Sequence, residues 1–242
     1  DPEQIVADLP HPGRFIALHF FSPAQVMKLL EIVPLAATSP QTRATGFALA
    51  ARLGKIPVTA GNCEGFIGNR ILKRYRAAAE MLLTEGIPPA AIDGAMRDFG
   101  FGMGPFEMQD MSGLDIAFRA REAARASGEG VPEIPGDVLV RAGRLGQKAG
   151  AGWYDYAPGS RQPLPSDRVA GLLAPFVLTA RPLNSAGIAD RLVGVMADEG
   201  QKILAEGIAL SPADIDLVEI HGYGFPRHRG GPMFHMSRKR QA

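Results

Sequence analysis

Four short segments occur twice in this chain, in the same order. Glu85-Gly86-Ile87, Ile92-Asp93, Gly100-Phe101-Gly102 and Gly104-Pro105-Phe106 return as Glu206-Gly207-Ile208, Ile215-Asp216, Gly222-Tyr223-Gly224 and Gly231-Pro232-Met233, at offsets of 121 to 127 residues. Chance can produce one such match; four in order mark a duplicated unit. Glycines punctuate alanine-rich, helix-period stretches around both copies, so each copy is expected to be helical. Two related helical units can bury their apolar faces against each other, which predicts a mainly α chain arranged as an internal pseudo-dimer.

The first sixty residues have an α/β texture instead. Phe15 to Phe21 and Met27 to Val33 read as buried strands. Thr38 or Ser39 caps a helix with Pro40 in its first turn, running to about Leu53 before Gly54. Ile56 to Thr59 reads as a short strand. Beyond Cys63 come helices over about 66–85, 88–99 and 106–127, the last broken near Ser112-Gly113, and a short one over 138–142. Lys148 to Tyr156 reads as a glycine turn into an aromatic strand or extended segment. The Pro-, Gly- and Ser-rich stretch from Ala157 to Ser166 opens a linker, and helical patterning resumes at Ser185. The expected divisions are an α/β piece over 1–61, a first helical domain over 62–156, a linker over 157–184 and a second helical domain over 185–242.

Bulk properties exclude several classes. Net charge is +1, so no global field points to nucleic acid. No run of eighteen apolar residues occurs, so no membrane span is expected. Cys63 is the sole cysteine, which rules out an intrachain disulfide and fits a reducing compartment. No metal site is expected. The chain opens on Asp1-Pro2 without an initiator methionine and reads as a fragment.

His19 and Glu31 are the candidate chemistry. Each is a polar residue inside an apolar, strand-like run, and Pro23 separates the runs, so the second can turn back beside the first. A histidine and a carboxylate then meet at the rim of one sheet. That suits a general base and its orienting acid: the imidazole takes a proton, and the carboxylate fixes its tautomer and stabilises the imidazolium. Asn69 follows a glycine-rich turn at the start of the long helix, where it can cap the helix or face a ligand. Glu64 and Asp110 read as structural or surface groups.

Together, His19-Phe20-Phe21-Ser22-Pro23, the stretch Gly61 to Arg70, Gly104-Pro105-Phe106, Gly143 to Lys148 and His221-Gly222-Tyr223-Gly224 resemble the C-terminal half of the multifunctional fatty-acid β-oxidation enzymes. These join an enoyl-CoA hydratase to an NAD-dependent 3-hydroxyacyl-CoA dehydrogenase. The resemblance covers nearly the whole chain, and Ser22 and Asn62-Cys63 look closest to the peroxisomal type. It implies tandem dehydrogenase C-terminal helical domains preceded by an incomplete Rossmann remnant. It also implies that His19 takes the proton of a 3-hydroxyacyl-CoA while hydride leaves C3 for the nicotinamide, yielding the 3-ketoacyl-CoA. Glu31 would hold the imidazole and Asn69 would contact substrate near the reacting oxygen. Ser22, at a position usually occupied by Asn in simpler relatives, and Lys148 would lie near the NAD. The second repeat, with His221 and His228, would be structural.

No Gly-x-Gly-x-x-Gly fingerprint follows a strand near the start, and Gly100 to Gly104 follows a helix, the wrong context. Residues 1–61 are therefore expected to be the last piece of a dinucleotide-binding domain, with apolar faces and edges uncovered, mobile or rearranged, and inviting self-association. Tight NAD binding and turnover by this chain alone are not expected. The competing class is a non-catalytic helical dimerisation or scaffold module. The expected compartment is the bacterial cytoplasm, or the peroxisome for a eukaryotic source.

Overall fold

A computed structural model describes residues 1–179 and 181–241. Ala180, within the predicted linker, and Ala242, at the end of the second repeat, lie outside the described residues. In chain order the elements are α1 (Pro2–Val6), β1 (Ala17–Phe20), β2 (Leu29–Val33), α2 (Pro40–Arg52), β3 (Ile56–Thr59), α3 (Gly68–Thr84), α4 (Pro89–Phe99), α5 (Pro105–Ser112), α6 (Leu114–Ala126), α7 (Pro135–Arg141), α8 (Asp167–Leu173), α9 (Ser185–Ala205), α10 (Pro212–Gly222) and α11 (Pro232–Gln241). The chain is mainly α, as expected. It divides into two compact units, Asp1–Tyr75 with Val193–Ala242 and Arg76–Leu192.

The first unit holds a three-stranded sheet in the order β1-β2-β3, with β1 antiparallel and β3 parallel to β2. Every residue of β2 is buried, which requires cover on both faces. Leu30 and Ile32 point to one face and pack with Ala50, Phe47, Ile16 and Leu18, so α2 covers that side. Ser39 caps α2 by accepting from the Thr42 amide at 3.2 Å.

Leu29, Glu31 and Val33 occupy the opposite face. Here the expectation of bare apolar surface on residues 1–61 fails. Helix α10 of the second repeat lies on it, close enough that a Cβ on Gly222 would fall 2.7 Å from a Leu29 methyl and 3.2 Å from the Phe21 ring. The reason is complementarity. The remnant's second apolar face needs a partner, and α10 brings buried Ile215 and Val218. A local reading treats the two segments as separate domains and so leaves the face uncovered.

The repeat has a physical basis that is visible in each unit. In the second unit Asp93 is fully buried and accepts from the amides of Phe106 and Glu107, both at 3.0 Å, and from the Tyr154 hydroxyl at 2.7 Å. In the first unit Asp216 accepts from the amides of Met233 at 2.8 Å and Phe234 at 3.1 Å. Each aspartate thus takes the free amides at the start of the next helix, α5 or α11, while the preceding proline has no N–H to satisfy. The glycine before that proline is obligatory. A Cβ at Gly104 or Gly231 would lie 2.2 Å from the aspartate Oδ1.

Two expectations for the second unit need correction. Residues 157–184 are not all linker, because α8 lies within them and buries Val169 and Leu173 at helical spacing. The neighbouring Pro and Gly residues obscure that short period in the sequence. The aromatic segment after Lys148 forms isolated bridges instead of a strand. Buried Arg144 holds it by donating to the carbonyls of Gly152 at 2.7 Å and Tyr154 at 3.2 Å and to Asp155 at 2.6 Å. Asp110 accepts from the amides of Trp153 and Tyr154 and from the Tyr156 hydroxyl, which makes it structural, as expected.

Candidate active site

The strand register places His19 on β1 directly opposite Glu31 on β2. Their side chains meet on the face covered by α10, with Nδ1 to Oε2 at 2.6 Å. Glu31 is fully buried while the imidazole keeps 27% of its side-chain surface. The other carboxylate oxygen, Oε1, accepts from the amides of Ile67 at 3.1 Å and Gly68 at 3.0 Å, at the start of α3. The Glu31 carboxylate thus meets His19 on one oxygen and two amides of a helix N-terminus on the other.

The turn that delivers those amides is strained. Phe66 has φ of 50°, a left-handed conformation that is rare for a bulky residue and recurs at functional sites. Its ring lies 5.5 Å from the imidazole, and the Phe21 ring lies 4.6 Å away. The imidazole is thus fixed on one edge by a carboxylate and on its flanks by two aromatic rings, which leaves Nε2 as the edge available to a reactant. This arrangement can accept a proton from a hydroxyl and stabilise the resulting imidazolium.

Asn69 lies in the first turn of α3, exposed, one residue beyond the Gly68 amide. Its Oδ1 accepts from the Tyr223 hydroxyl at 2.8 Å, which holds the side-chain amide as a donor. Tyr223 also packs edge-on against Phe21. It reaches Asn69 because position 68 is glycine: a Cβ there would lie 2.5 Å from the Tyr223 ring. The second repeat therefore supplies part of this site, which local sequence reading assigns no role beyond structure. The missed signal was Gly68 and Tyr223 taken together, small opposite large, which only the fold pairs.

Ser22 is exposed in the turn after β1, three residues beyond His19. Lys148, in the second unit, ion-pairs with Asp115, whose carboxyl it holds below the usual range. Glu64 is a surface group paired with Lys73. Cys63 donates to the Phe66 carbonyl at 3.3 Å. Among the described residues no cluster of three or more His, Cys, Asp or Glu could hold a metal, and no helix is long and apolar enough to cross a membrane.

Residues 1–63 match the model of the 3-hydroxyacyl-CoA dehydrogenase NAD-binding domain, and residues 65–156 match that of the 3-hydroxyacyl-CoA dehydrogenase C-terminal domain. The chain belongs to the 3-hydroxyacyl-CoA dehydrogenase family. It is 42% identical to the peroxisomal bifunctional enzyme of Danio rerio over 96% of its length, and 41% identical to that of Homo sapiens over 98%. The fatty acid oxidation complex subunit alpha of Vibrio cholerae is 38% identical over 96%. The chain spans about a third of the length of these relatives, 35%, 35% and 33%. Among solved structures, the 3-hydroxybutyryl-CoA dehydrogenase of Escherichia coli K12 superposes with a TM-score of 0.79 at 26% identity, covering 98% of this chain and 66% of that one. The dehydrogenase part of multifunctional enzyme 1 from C. elegans gives 0.72 at 29% identity, covering 96% and 53%.

Proposed function

We propose that this chain supplies the base-bearing, substrate-side part of an NAD-dependent 3-hydroxyacyl-CoA dehydrogenase of fatty acid oxidation. The observation that carries this reading is the His19–Glu31 dyad, with Asn69 beside it. His19 Nε2 takes the proton of the substrate 3-hydroxyl. Glu31 keeps the Nδ1 proton in place and stabilises the imidazolium. Asn69 donates its side-chain amide to the reacting oxygen, without adding a charge to a site from which hydride departs. When bound, NAD supplies the hydride acceptor.

The residues present fit the nicotinamide end of that cofactor. Ser22 offers an exposed hydroxyl in the turn that follows the strand bearing His19. They do not fit its pyrophosphate. Both helices that follow strands in the first unit have filled N-termini: Ser39 and Pro40 close α2, and Glu31 takes the amides at α3. A phosphate cradle at a helix N-terminus needs those amides free. On this reading neither α2 nor α3 cradles the cofactor's phosphate end. The compartment implied is the cytoplasm of a bacterium or the peroxisome of a eukaryote.

The test is NADH formation, followed at the reduced nicotinamide absorbance, with a 3-hydroxyacyl-CoA and NAD on the full-length gene product carrying residues 1–242. Absence of turnover across short, medium and long acyl chains would sink the reading. Within it, Tyr223→Phe should lower kcat about fivefold with little change in KM. One hydrogen bond that orients Asn69 is worth roughly 1 kcal/mol. An unchanged kcat would remove Asn69 orientation from the account.

A further inference from the structure

Behind Glu31 lies a second buried carboxyl that the chemistry above does not use. Glu219, on α10, is 1% exposed, and its Oε1 has no hydrogen-bond partner among the described residues. Its neighbours on the same helical face fix its place. Val218 and Tyr223 both press on Gly68, the residue whose amide binds Glu31, and Gly222 presses on Leu29, two residues before Glu31 on the same strand face. Glu219 therefore faces the Glu31 side of the sheet from within the second repeat.

Two carboxyls in a dry pocket do not both ionise. The donors decide which keeps the charge. Glu31 has His19 Nδ1 and two helix amides, whereas Glu219 Oε1 has no hydrogen-bond partner among the described residues. We propose that Glu219 is a positioning residue of the dyad, a neutral acid whose retained proton confines the negative charge of the pair to Glu31, where it faces the imidazole. Burial first, and then the charges of Glu31 and Asp216, push the Glu219 carboxyl well above the ordinary carboxylate range.

Helix α11, packed on α10 alongside β2 and β3, brings His235, Arg238, Lys239 and Arg240, of which Arg240 pairs with Asp198. β3 contributes Ile-Pro-Val-Thr and no titratable side chain. On α3, Arg70 is engaged by Glu199 and Glu206. On its own helix, Asp216 spends both oxygens on the α11 amides. The consequence is a limit at high pH: ionising Glu219 places a second negative charge behind Glu31 and disturbs the imidazole. The second repeat would thereby control the dyad's charge as well as cover its sheet.

This deepens the dehydrogenase reading and rests on it for the role of His19, but its test reads protonation instead of turnover, so the two can fail separately. The chain is prepared with 13C-labelled glutamate and histidine and titrated by carbon-detected NMR, with Glu219→Gln in parallel. One glutamate carboxyl should keep the shift of a protonated acid at pH 7 and be missing from Glu219→Gln. The variant is needed for assignment because Glu80, pushed up by burial to about 7, should also be partly protonated there. The His19 ring carbons should show a main inflection that Glu219→Gln leaves in place, and a second one at higher pH that Glu219→Gln abolishes. A main inflection that drops by about one pH unit in Glu219→Gln would mean that Glu219 had been charged, and would overturn the proposal. A protonated Glu219 without the second His19 inflection would also overturn it. Should Glu219→Gln not fold, the wild-type His19 titration decides, and a single inflection rejects the role.

Discussion

His19→Gln should lower turnover of the full-length gene product by about a thousandfold while leaving its melting temperature nearly unchanged. Loss of a positioned general base removes roughly two to four orders of magnitude. The imidazole is partly exposed and flanked by rings that stay in place, so glutamine fits without opening a cavity. Retention of more than a tenth of the wild-type rate would reject His19 as the base. Glu31→Gln makes a sharper companion. Its carbonyl oxygen can still accept from the Ile67 and Gly68 amides, which turns its amide nitrogen toward His19. Nδ1 must then act as acceptor, the ring proton moves to Nε2, and the edge facing substrate can no longer take a proton. A fall comparable to that of His19→Gln is expected, by the same tautomer logic that governs other His–carboxylate dyads. Rates for the double variant should not multiply, because the two residues act as one unit.

The dyad was legible because its signals are local. A polar residue in an apolar run is conspicuous, and Pro23 marks the reversal that pairs Glu31 with His19. Cap and break signals were equally direct: Ser39 before Pro40, and Gly113 between α5 and α6. The contributions of Tyr223 and Glu219 were not legible, for the opposite reason. Each depends on α10 lying against a sheet nearly two hundred residues earlier, and nothing in the spacing of a repeat says which surface its second copy will cover. A trace did exist. Glu219 interrupts the apolar run Leu217-Val218 and Ile220, and a carboxyl in such a run asks for a buried partner, as His19 and Glu31 did. The repeat itself was visible as recurring short segments, but its cause, an aspartate seizing the next helix's amides across a glycine, emerges only once those segments are brought together.

That cause sets the largest expected effect on stability. Asp93→Ala should destabilise the second unit by about 3 kcal/mol, a shift of roughly 10 °C in melting, because two amides and the Tyr154 hydroxyl lose their acceptor in a dry interior. The effect should also depend on pH in a definite sense. Burial pushes the Asp93 carboxyl up to about 7, above its unfolded value, so the native state binds the extra proton. The stability linked to that proton is fully present below about pH 4 and is lost as pH rises through about 7. Alanine cannot titrate, so the gap in melting temperature should be wider at pH 5 than at pH 8. The other buried acids remain in both proteins and cancel from the difference. Thermal melts of both proteins at the two pH values check this, and a gap that widens toward pH 8 would contradict it. Gly104→Ala attacks the same junction from the other side. Its methyl would collide with Asp93, so α5 must move off the aspartate, at a comparable cost. If Gly104→Ala instead melts within about 2 °C of wild type, close packing of that glycine on the aspartate is not what the repeated Gly-Pro preserves.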